Sequence, residues 1–551
     1  MKKRSILKAF LYTFGSIAIV LTLAIWIFLT FYFEGTLNKV VIPKLQQAAF
    51  NATRGRFVLT LDKIFYKRGT LVCNTFILSR VAYDSTEHGM VLDRLTIDSA
   101  RFEGIRWWEV LWGQDITLSG LQLNAPKLYM ATIDSISVSV PNSHFVKVKK
   151  PASAFSYAPI ISFDSIVLSD ISVFLPKPAE KAIEPAYRNI TIKLTDFSLD
   201  PKRLTGESAL FSKHVGFELP GGSYSVGDSM YSIEVHGIHG SLSDSLVTID
   251  SFAYAPNYSD QAFADKYKYN QGRLEFRCTG IELRGIDFTK LLTGKRLHVR
   301  SCEAASWFAD YYRDLRKPNN PHPPDAILPH IIISSIKAPI TIDSIIFNNG
   351  TIHHRERIAG STHASLITFT HACVVEHLFC TDTSSTLYSE PLRFSVSALF
   401  MGQGKVVGTV IYPIHQKQFD LHIAATVGPF DGPVLNSYLV SNERKEITSG
   451  KCLGGALRMD VKSGRGITTV SPRYEDVSIK VLATGAKESP GILEGIKTFM
   501  ANTFVLRTNN VDNGDKKAAS GTTALIYTKD EEFFQYIWLA LRKSIGKVVG
   551  F

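Results

Sequence analysis

Apolar and polar positions alternate with a period of two along much of the chain. Side chains two residues apart in an extended strand point to the same face, so each such segment is predicted to be a strand with one apolar face. The first segment contains Phe57, Leu59 and Leu61. The others contain Ile136, Val138 and Val140; Ile190, Ile192 and Leu194; and Val477, Ile479 and Val481.

Helical spacing is rarer, and it is predicted at 107–112, 287–292, 307–315, 492–500 and 531–548. The last of these is amphipathic. We expect it to cap the sheet, and the alternative is contact with an anionic membrane surface or a partner. Its predicted apolar face consists of Phe534, Ile537, Trp538, Leu541 and Ile545. The fold class predicted for the chain is mainly β with short helices and a C-terminal helical cap.

An uncharged apolar run at 9–33 predicts a transmembrane helix. At about 1.5 Å per residue it is roughly 37 Å long, enough to cross a hydrocarbon core of about 30 Å. A basic tail at 1–8 precedes it and Glu34 follows it, which places the N-terminus in the cytoplasm. A cleaved signal peptide would have a shorter apolar region that ends at a small-x-small site. We therefore expect a single-pass anchor, with the bulk of the chain on the far side of the membrane.

Two stretches of the chain, 102–118 and 283–299, align without a gap, and Gly104 matches Gly285. The alignment continues from 163–168 to 342–347 and from 190–192 to 367–369. It predicts two related repeats, each with a strand, a short helix ended by glycine, and a second strand. The predicted regions are a first β-rich repeat at 34–317, a Pro-rich connector at 318–330, a second repeat at 331–510, a loop at 511–520, and a final strand and helix at 521–551.

Composition and charge narrow the possible functions. The chain is 45% apolar and 20% charged, which is typical of a folded protein. The net charge of +11 is spread thinly, and the densest basic patch outside the N-terminus is 147–150, so nucleic-acid binding is not expected. The six cysteines are scattered and do not form a dense disulfide framework, although the spacing leaves individual pairs open.

The chain contains no recognisable catalytic motif. Cys373 and His377 are four residues apart and would suit a metal on a helix, but 367–375 has the pattern of a strand. His353 and His354 are expected at an exposed rim. We therefore predict no catalytic residue, no metal and no cofactor. An envelope hydrolase would need a nucleophile–base pair that the sequence does not reveal.

Four segments taken in order resemble the AsmA-like family of membrane-anchored periplasmic proteins, which are related to bridge-like lipid-transfer proteins. They are the N-terminal helix with 37–61, the unit that ends at 121–129, the segment 342–353, and the stretch 428–482. The resemblance implies an elongated, twisted antiparallel β-sheet groove and an inner-membrane protein with a periplasmic bulk. It also implies phospholipid as cargo, a role in lipid transport or outer-membrane assembly, and possible envelope protein partners. The chain is short for a complete bridge.

A sheet with one apolar face must cover that face with another layer or hold something apolar against it. An open lipid groove and a closed core both satisfy this requirement, and the closed core would suit a structural scaffold without lipid cargo. The predicted groove residues are Ile136, Val138, Val140, Val167, Ile190, Ile192, Ile346, Val477, Ile479 and Val481.

Overall fold

The computed structural model describes residues 35, 38–39, 42–43, 46, 50, 55–67, 70–81, 89–105, 115–133, 161–174, 187–199, 212–226, 228–288, 290–291, 296–321, 328–416, 418–482, 508–515, 517–528 and 532–550. The predicted anchor, the strand of Ile136, Val138 and Val140, and the helices predicted at 107–112 and 492–500 lie outside these residues. Within the described ranges, no helix combines the length and hydropathy needed to span a membrane.

The described chain is mainly β, as predicted. One mixed, largely antiparallel sheet contains 23 strands, and a small second sheet contains three. In chain order the strands are β1 (Phe57–Leu61), β2 (Ile64–Lys67), β3 (Thr70–Arg80), β4 (Gly89–Glu103), β5 (Ile116–Leu118), β6 (Gly120–Asn124), β7 (Lys127–Ile133), β8 (Ile161–Phe174), β9 (Tyr187–Leu199), β10 (Ser212–Val226), β11 (Tyr231–Ser241), β12 (Leu246–Pro256), β13 (Arg273–Arg284), β14 (Leu297–Val299), β15 (Ser301–Asp314), β16 (Ile340–Ile342), β17 (Ile345–Arg357), β18 (Ser365–Glu376), β19 (Phe379–Cys380), β20 (Leu392–Phe400), β21 (Gly404–Tyr412), β22 (Leu421–Val427), β23 (Phe430–Asp431), β24 (Lys445–Lys462), β25 (Arg465–Val481) and β26 (Gly521–Ile526).

The described helices are few and short, apart from the last one. They are α1 (Asp260–Asp265), α2 (Pro329–Ser334), α3 (Asn436–Glu443) and α4 (Phe533–Val549), with 3₁₀ turns η1 (Thr386–Ser389) and η2 (Gly432–Leu435). Helix α4 confirms the helix predicted at 531–548. The helix predicted at 307–315 is wrong, because these residues belong to β15. Its aromatic residues favour an extended strand between β13 and β17, although their spacing also fits a helix.

The chain forms two compact units. The first comprises 1–220 and 239–243, and the second comprises 221–238 and 244–551. The Pro-rich segment 318–330, predicted to separate two repeats, therefore falls inside the second unit. There it follows β15, whose next neighbour in the large sheet, β17, runs parallel to it. Two parallel strands need a long crossover connection, and this segment belongs to the connection between β15 and β17.

Each unit contains one copy of the same strand arrangement. Strands β3, β4, β6–β7, β8 and β9 of the first unit correspond to β12, β13, β15, β17 and β18 of the second. The pairing Phe102–Leu121 in the first copy matches Leu283–Cys302 in the second, 181 residues later. In both copies a parallel pairing follows, between β6–β7 and β8 and between β15 and β17.

The two copies also share their irregularities. Gly104 and Gly285 both have a φ of +68°. Ser119 follows β5 and Arg300 follows β14, and each donates its backbone N–H to a carbonyl, of residue 103 and 284 respectively, at 3.0 Å in both cases. Asp170 and Asn349 are equivalent left-handed positions at a bulge in the next strand. Shared bulges are typical of a duplicated architecture, because a bulge re-aims every side chain that follows it.

One step of the sequence alignment is wrong. Ile190 lies opposite Ile171, and at the matching bulge Ala372 lies opposite Gly350. Residues 190–192 therefore correspond to 372–374 rather than to 367–369. The Ile-Thr-Ile and Ile-Thr-Phe triplets look alike only because both strands alternate, and the pattern of alternation cannot fix the register by itself.

Candidate functional site

Strand register aligns apolar side chains of the first unit into one row. Directly opposite residues in neighbouring strands place their side chains on the same face of a sheet. The row crosses seven strands, and every member is apolar. Its members are Ile64, Cys73, Ala100, Leu123, Leu168, Ile192 and Phe217.

The second unit carries a longer version of this row. With strands about 4.8 Å apart, a row of ten strands extends roughly 43 Å along the sheet. Its first five members occupy the positions equivalent to Cys73, Ala100, Leu123, Leu168 and Ile192. We call the two rows together the apolar rows. The members in the second unit are Ile249, Ile281, Ala304, Phe347, Val374, Val396, Gly408, Ala425, Leu457 and Val470.

The opposite face of the same strands is largely polar. In the first unit the adjacent register positions are Val72, Arg101, Gln122, Val167 and Lys193. In the second they are Thr248, Glu282, Glu303, Ile346, Val375, Ser395, Thr409, Ala424, Arg458 and Thr469. Exposed ion pairs such as Lys193–Glu218, at 2.9 Å, lie among them. The sheet is therefore one-sided in both units.

An aromatic cluster lies on the apolar face of β12, β13, β15 and β17. The ring centroids of Phe276 and Trp307 are 6.3 Å apart, and each lies 6.1 Å from that of Phe347. Phe252 joins from β12, 6.4 Å from Phe276. The rings are only partly buried, and the described members of their cluster all lie on strands. The backbone of Gly350 lies against the Trp307 ring. A Cβ at this position would lie 2.0 Å from the ring, so glycine allows the contact.

Another part of this face, on β20–β26, is covered by helices. One core cluster contains Leu328, the N-cap of α2, and Ile333 from α2 packs against it. The same cluster contains Tyr536 and Ala540 of α4. Ser544 of α4 donates its hydroxyl to the carbonyl of Thr468, at 3.1 Å. This region is a conventional closed core.

A polar cluster fixes the beginning of α4 to the sheet. The Tyr311 hydroxyl donates to the carboxylate of Glu532, and the Tyr311 ring stacks on His354 with centroids 5.7 Å apart. His354 also lies 5.4 Å from the ring of Trp538. The buried carboxylate of Glu356 accepts a hydrogen bond from Asn442, at 2.7 Å. Burial raises the pKa of Tyr311, and the negative charge of Glu532 adds to this effect.

A buried ion network lies on the polar face, near α1. The carboxylate of Asp310 accepts from Arg355 Nε at 2.6 Å, and Arg273 Nη1 lies 3.4 Å from the same carboxylate. Asp260 of α1 accepts from Arg355 at 3.1 Å. Asp310 is 3% exposed, so its charge is neutralised by the arginines rather than by water. Sequence reasoning missed this network, because its members come from four separate elements.

The predicted groove residues divide between the two faces. Ile192 belongs to the apolar row, and Ile190 follows the same alternation on β9. Val167 and Ile346 do not belong to it, because they lie opposite Lys193 and Glu303 respectively. In both strands three apolar residues follow one another, so the sequence pattern does not show which face of the sheet the middle residue occupies.

On β25, Ile479 lies opposite the buried Ile447, Val477 is partly buried, and Val481 is exposed.

The apolar face predicted for α4 is displaced from the one observed. Ile537 and Trp538 pack inward, and Leu541 and Ile545 are partly buried, but Phe534 is 62% exposed. The most buried positions are Tyr536, Ala540, Ser544 and Val548. The displacement arises because small and polar residues, Ala540 and Ser544, allow the closest approach of the helix to β25 and β26.

The histidines and cysteines do not converge on a site. Cys373 lies in β18, as the strand prediction required, and its Sγ lies 3.6 Å from the amide oxygen of Asn348. His353 and His354 are partly buried within β17 rather than at an exposed rim. In the part of the chain that the structure describes, no three His, Cys, Asp or Glu side chains are arranged to hold a metal ion.

The chain matches no protein-family model, and no curated protein matches it in sequence. The resemblance to the AsmA-like family stays a prediction.

Proposed function

We propose that this protein is a non-enzymatic, membrane-anchored envelope protein whose apolar sheet face shields the acyl chains of phospholipid. It would thereby support phospholipid transfer between membranes or outer-membrane assembly. The observation that carries the proposal is the apolar row of the second unit, continuous across ten strands, with a largely polar row behind it. The equivalent row in the first unit supports it independently.

The chemistry of the apolar rows favours an acyl chain over other ligands. The rows offer aliphatic and aromatic side chains and no charged group, so binding would come from burying methylene groups at about 0.8 kcal/mol each. A long, narrow row suits an extended hydrocarbon better than a compact polar substrate. The partly buried rings of Phe276, Trp307 and Phe347 would supply the contact surface in the second unit.

Adjacent residues on opposite faces give a matched test of this proposal. Full-length protein purified in mild detergent would be examined by native mass spectrometry with lipid extraction. Phe347→Asn places an amide on the apolar face and should reduce co-purifying phospholipid. Ile346→Asn places the same amide on the polar face and should not. Leu168→Asn and Val167→Asn repeat the comparison in the first unit.

Folding of each variant would be checked by circular dichroism and thermal melting, so that loss of lipid is not confused with loss of structure. If folded wild-type protein carries no phospholipid and takes up none when it is added, the proposal fails.

A scaffold with a closed β core is the second candidate. The core cluster under α2 and α4 favours it, because there the same face is covered by protein. A scaffold predicts no phospholipid in any variant, and it predicts that Phe347→Asn only destabilises the fold.

A further inference from the structure

An exposed apolar segment lies at 331–338 in the second unit, where α2 ends and a loop follows; we call this segment the turn. Ile331 is 48% exposed, Ile332 is 55% exposed and Ile336 is 37% exposed. The residues that precede the turn are anchored in the core: Leu328 is buried there, and the ring of the buried His330 is hydrogen-bonded to the hydroxyl of Tyr412, at 2.8 Å. The apolar side chains of the turn are therefore presented outward on a fixed base.

Both serine hydroxyls of the turn are paired locally. Ser334 donates its hydroxyl to the carbonyl of Ile331 at 3.0 Å, and Ser335 donates to that of Ile332 at 2.6 Å. The carbonyl of Ala338 accepts from the hydroxyl of Thr381, at 2.7 Å. An apolar medium penalises unpaired hydrogen-bonding groups, so internal pairing lowers the cost of taking this turn out of water.

Within the turn Lys337 is the one charged side chain; Asp343 follows the segment in sequence, and Asp382 adjoins Thr381, whose hydroxyl bonds to Ala338. From 328 to 342 the sequence contains no acidic residue, and Lys337 is exposed beside Ile336. Isoleucines that project outward, with hydroxyls paired internally and a lysine at the edge, match the boundary between acyl chains and anionic headgroups.

From these contacts we infer that the turn at 331–338 inserts into the surface of an anionic lipid bilayer. This would be a membrane contact separate from the predicted anchor, and it does not depend on whether the sheet carries lipid.

Hydrogen–deuterium exchange of the full-length protein, held in phosphatidylcholine nanodiscs, tests the inference directly. Vesicles of phosphatidylcholine with phosphatidylglycerol would be added, and peptides that cover 328–342 should become protected. Protection that is already complete without vesicles would mean that another part of the chain covers the turn, and it would overturn the inference. Protection that is equal across the whole chain would also overturn it.

Co-sedimentation of substituted proteins with vesicles gives a second test of the inference. Replacing Ile331, Ile332 and Ile336 together by serine should weaken co-sedimentation with sucrose-loaded anionic vesicles at least about tenfold. Lys337→Gln should weaken it about fivefold on anionic vesicles and not on neutral ones, since one lysine near such a surface contributes about that much. The matched control replaces three exposed residues on strands by serine: Val407, Ile467 and Ile526.

The control variant should bind as the wild type does. If it loses binding equally, or if the isoleucine variant binds normally, the inference fails. If the isoleucine variant instead lowers the protein's mass in solution while vesicle binding persists, the turn contacts a second copy of the chain, and the bilayer assignment is wrong.

Discussion

Gly285 gives a quantitative test of the duplicated architecture. Alanine at a φ of +68° destabilises the folded state by about 1–2 kcal/mol. Alanine also restricts the unfolded chain, which offsets about 0.4–1 kcal/mol of that loss. An added Cβ would also lie 2.7 Å from the Cβ of Arg300, and such an overlap costs about 1–3 kcal/mol. Gly402, with a φ of +73° and open space around it, would suffer the strain without the overlap. The difference between Gly285→Ala and Gly402→Ala therefore isolates the overlap.

The free energy of opening can be read locally by hydrogen exchange in a urea series, from peptides of β13 and β15 for Gly285→Ala and from peptides of β20 and β21, which flank residue 402, for Gly402→Ala. Gly285→Ala should lower it by about 1–3 kcal/mol more than Gly402→Ala does. Gly104→Ala should have the same effect on peptides of β4 and β6, because its Cβ would meet the Cβ of Ser119 at 2.7 Å. Equal costs for Gly285→Ala and Gly402→Ala would refute the packing argument. An effect at only one of the two equivalent glycines would refute the shared geometry.

Three further predictions, one of them with a matched control substitution, concern the second unit. Met459→Ala removes a side chain that is 0% exposed in the core cluster, and it should cost about 2–5 kcal/mol in urea unfolding; a cost below about 1 kcal/mol would mean that the cluster is loosely packed. Asp310→Asn removes the carboxylate that Arg355 contacts and should cost about 3–5 kcal/mol, whereas Arg458→Ala, at a solvent-exposed ion pair, should have a much smaller effect; similar effects would contradict the burial of the network. Burial raises the pKa of Glu376, so the folded state holds the carboxyl proton more tightly than the unfolded state does, and stability is lost as the pH rises above the usual carboxyl range. In thermal melts from about pH 4 to about pH 8, Glu376→Gln should reduce this fall of stability with pH. An unchanged fall would mean that other groups cause it.

Alternation and internal similarity predicted much of the fold. The strands around Phe57, Ile190 and Val477, the C-terminal helix and the glycine pair Gly104 and Gly285 are all found where the sequence placed them. These features depend on local periodicity and on backbone conformations that favour glycine, which are written into short stretches of sequence.

The choice of face and the register could not be predicted in the same way. Val167 lies between Ile166 and Leu168, so its alternation was compatible with either face until the pairing with Gln122 and Lys193 was known. The aromatic cluster and the ion network at Asp310 unite residues from several strands. Their positions depend on bulges, such as the one at Asn349, which shift the side chains that follow.

Photo-cross-linking can show directly whether the apolar rows hold acyl chains. Full-length protein would be loaded with a phospholipid that carries a diazirine in its acyl chain, irradiated, and mapped by peptide mass spectrometry. If they do, adducts should form at Phe276, Trp307 and Phe347 in the second unit and at Leu168 in the first, with none at Val167 or Ile346. Adducts spread over both faces, or confined to exposed residues such as Phe534, would contradict acyl-chain binding by the rows.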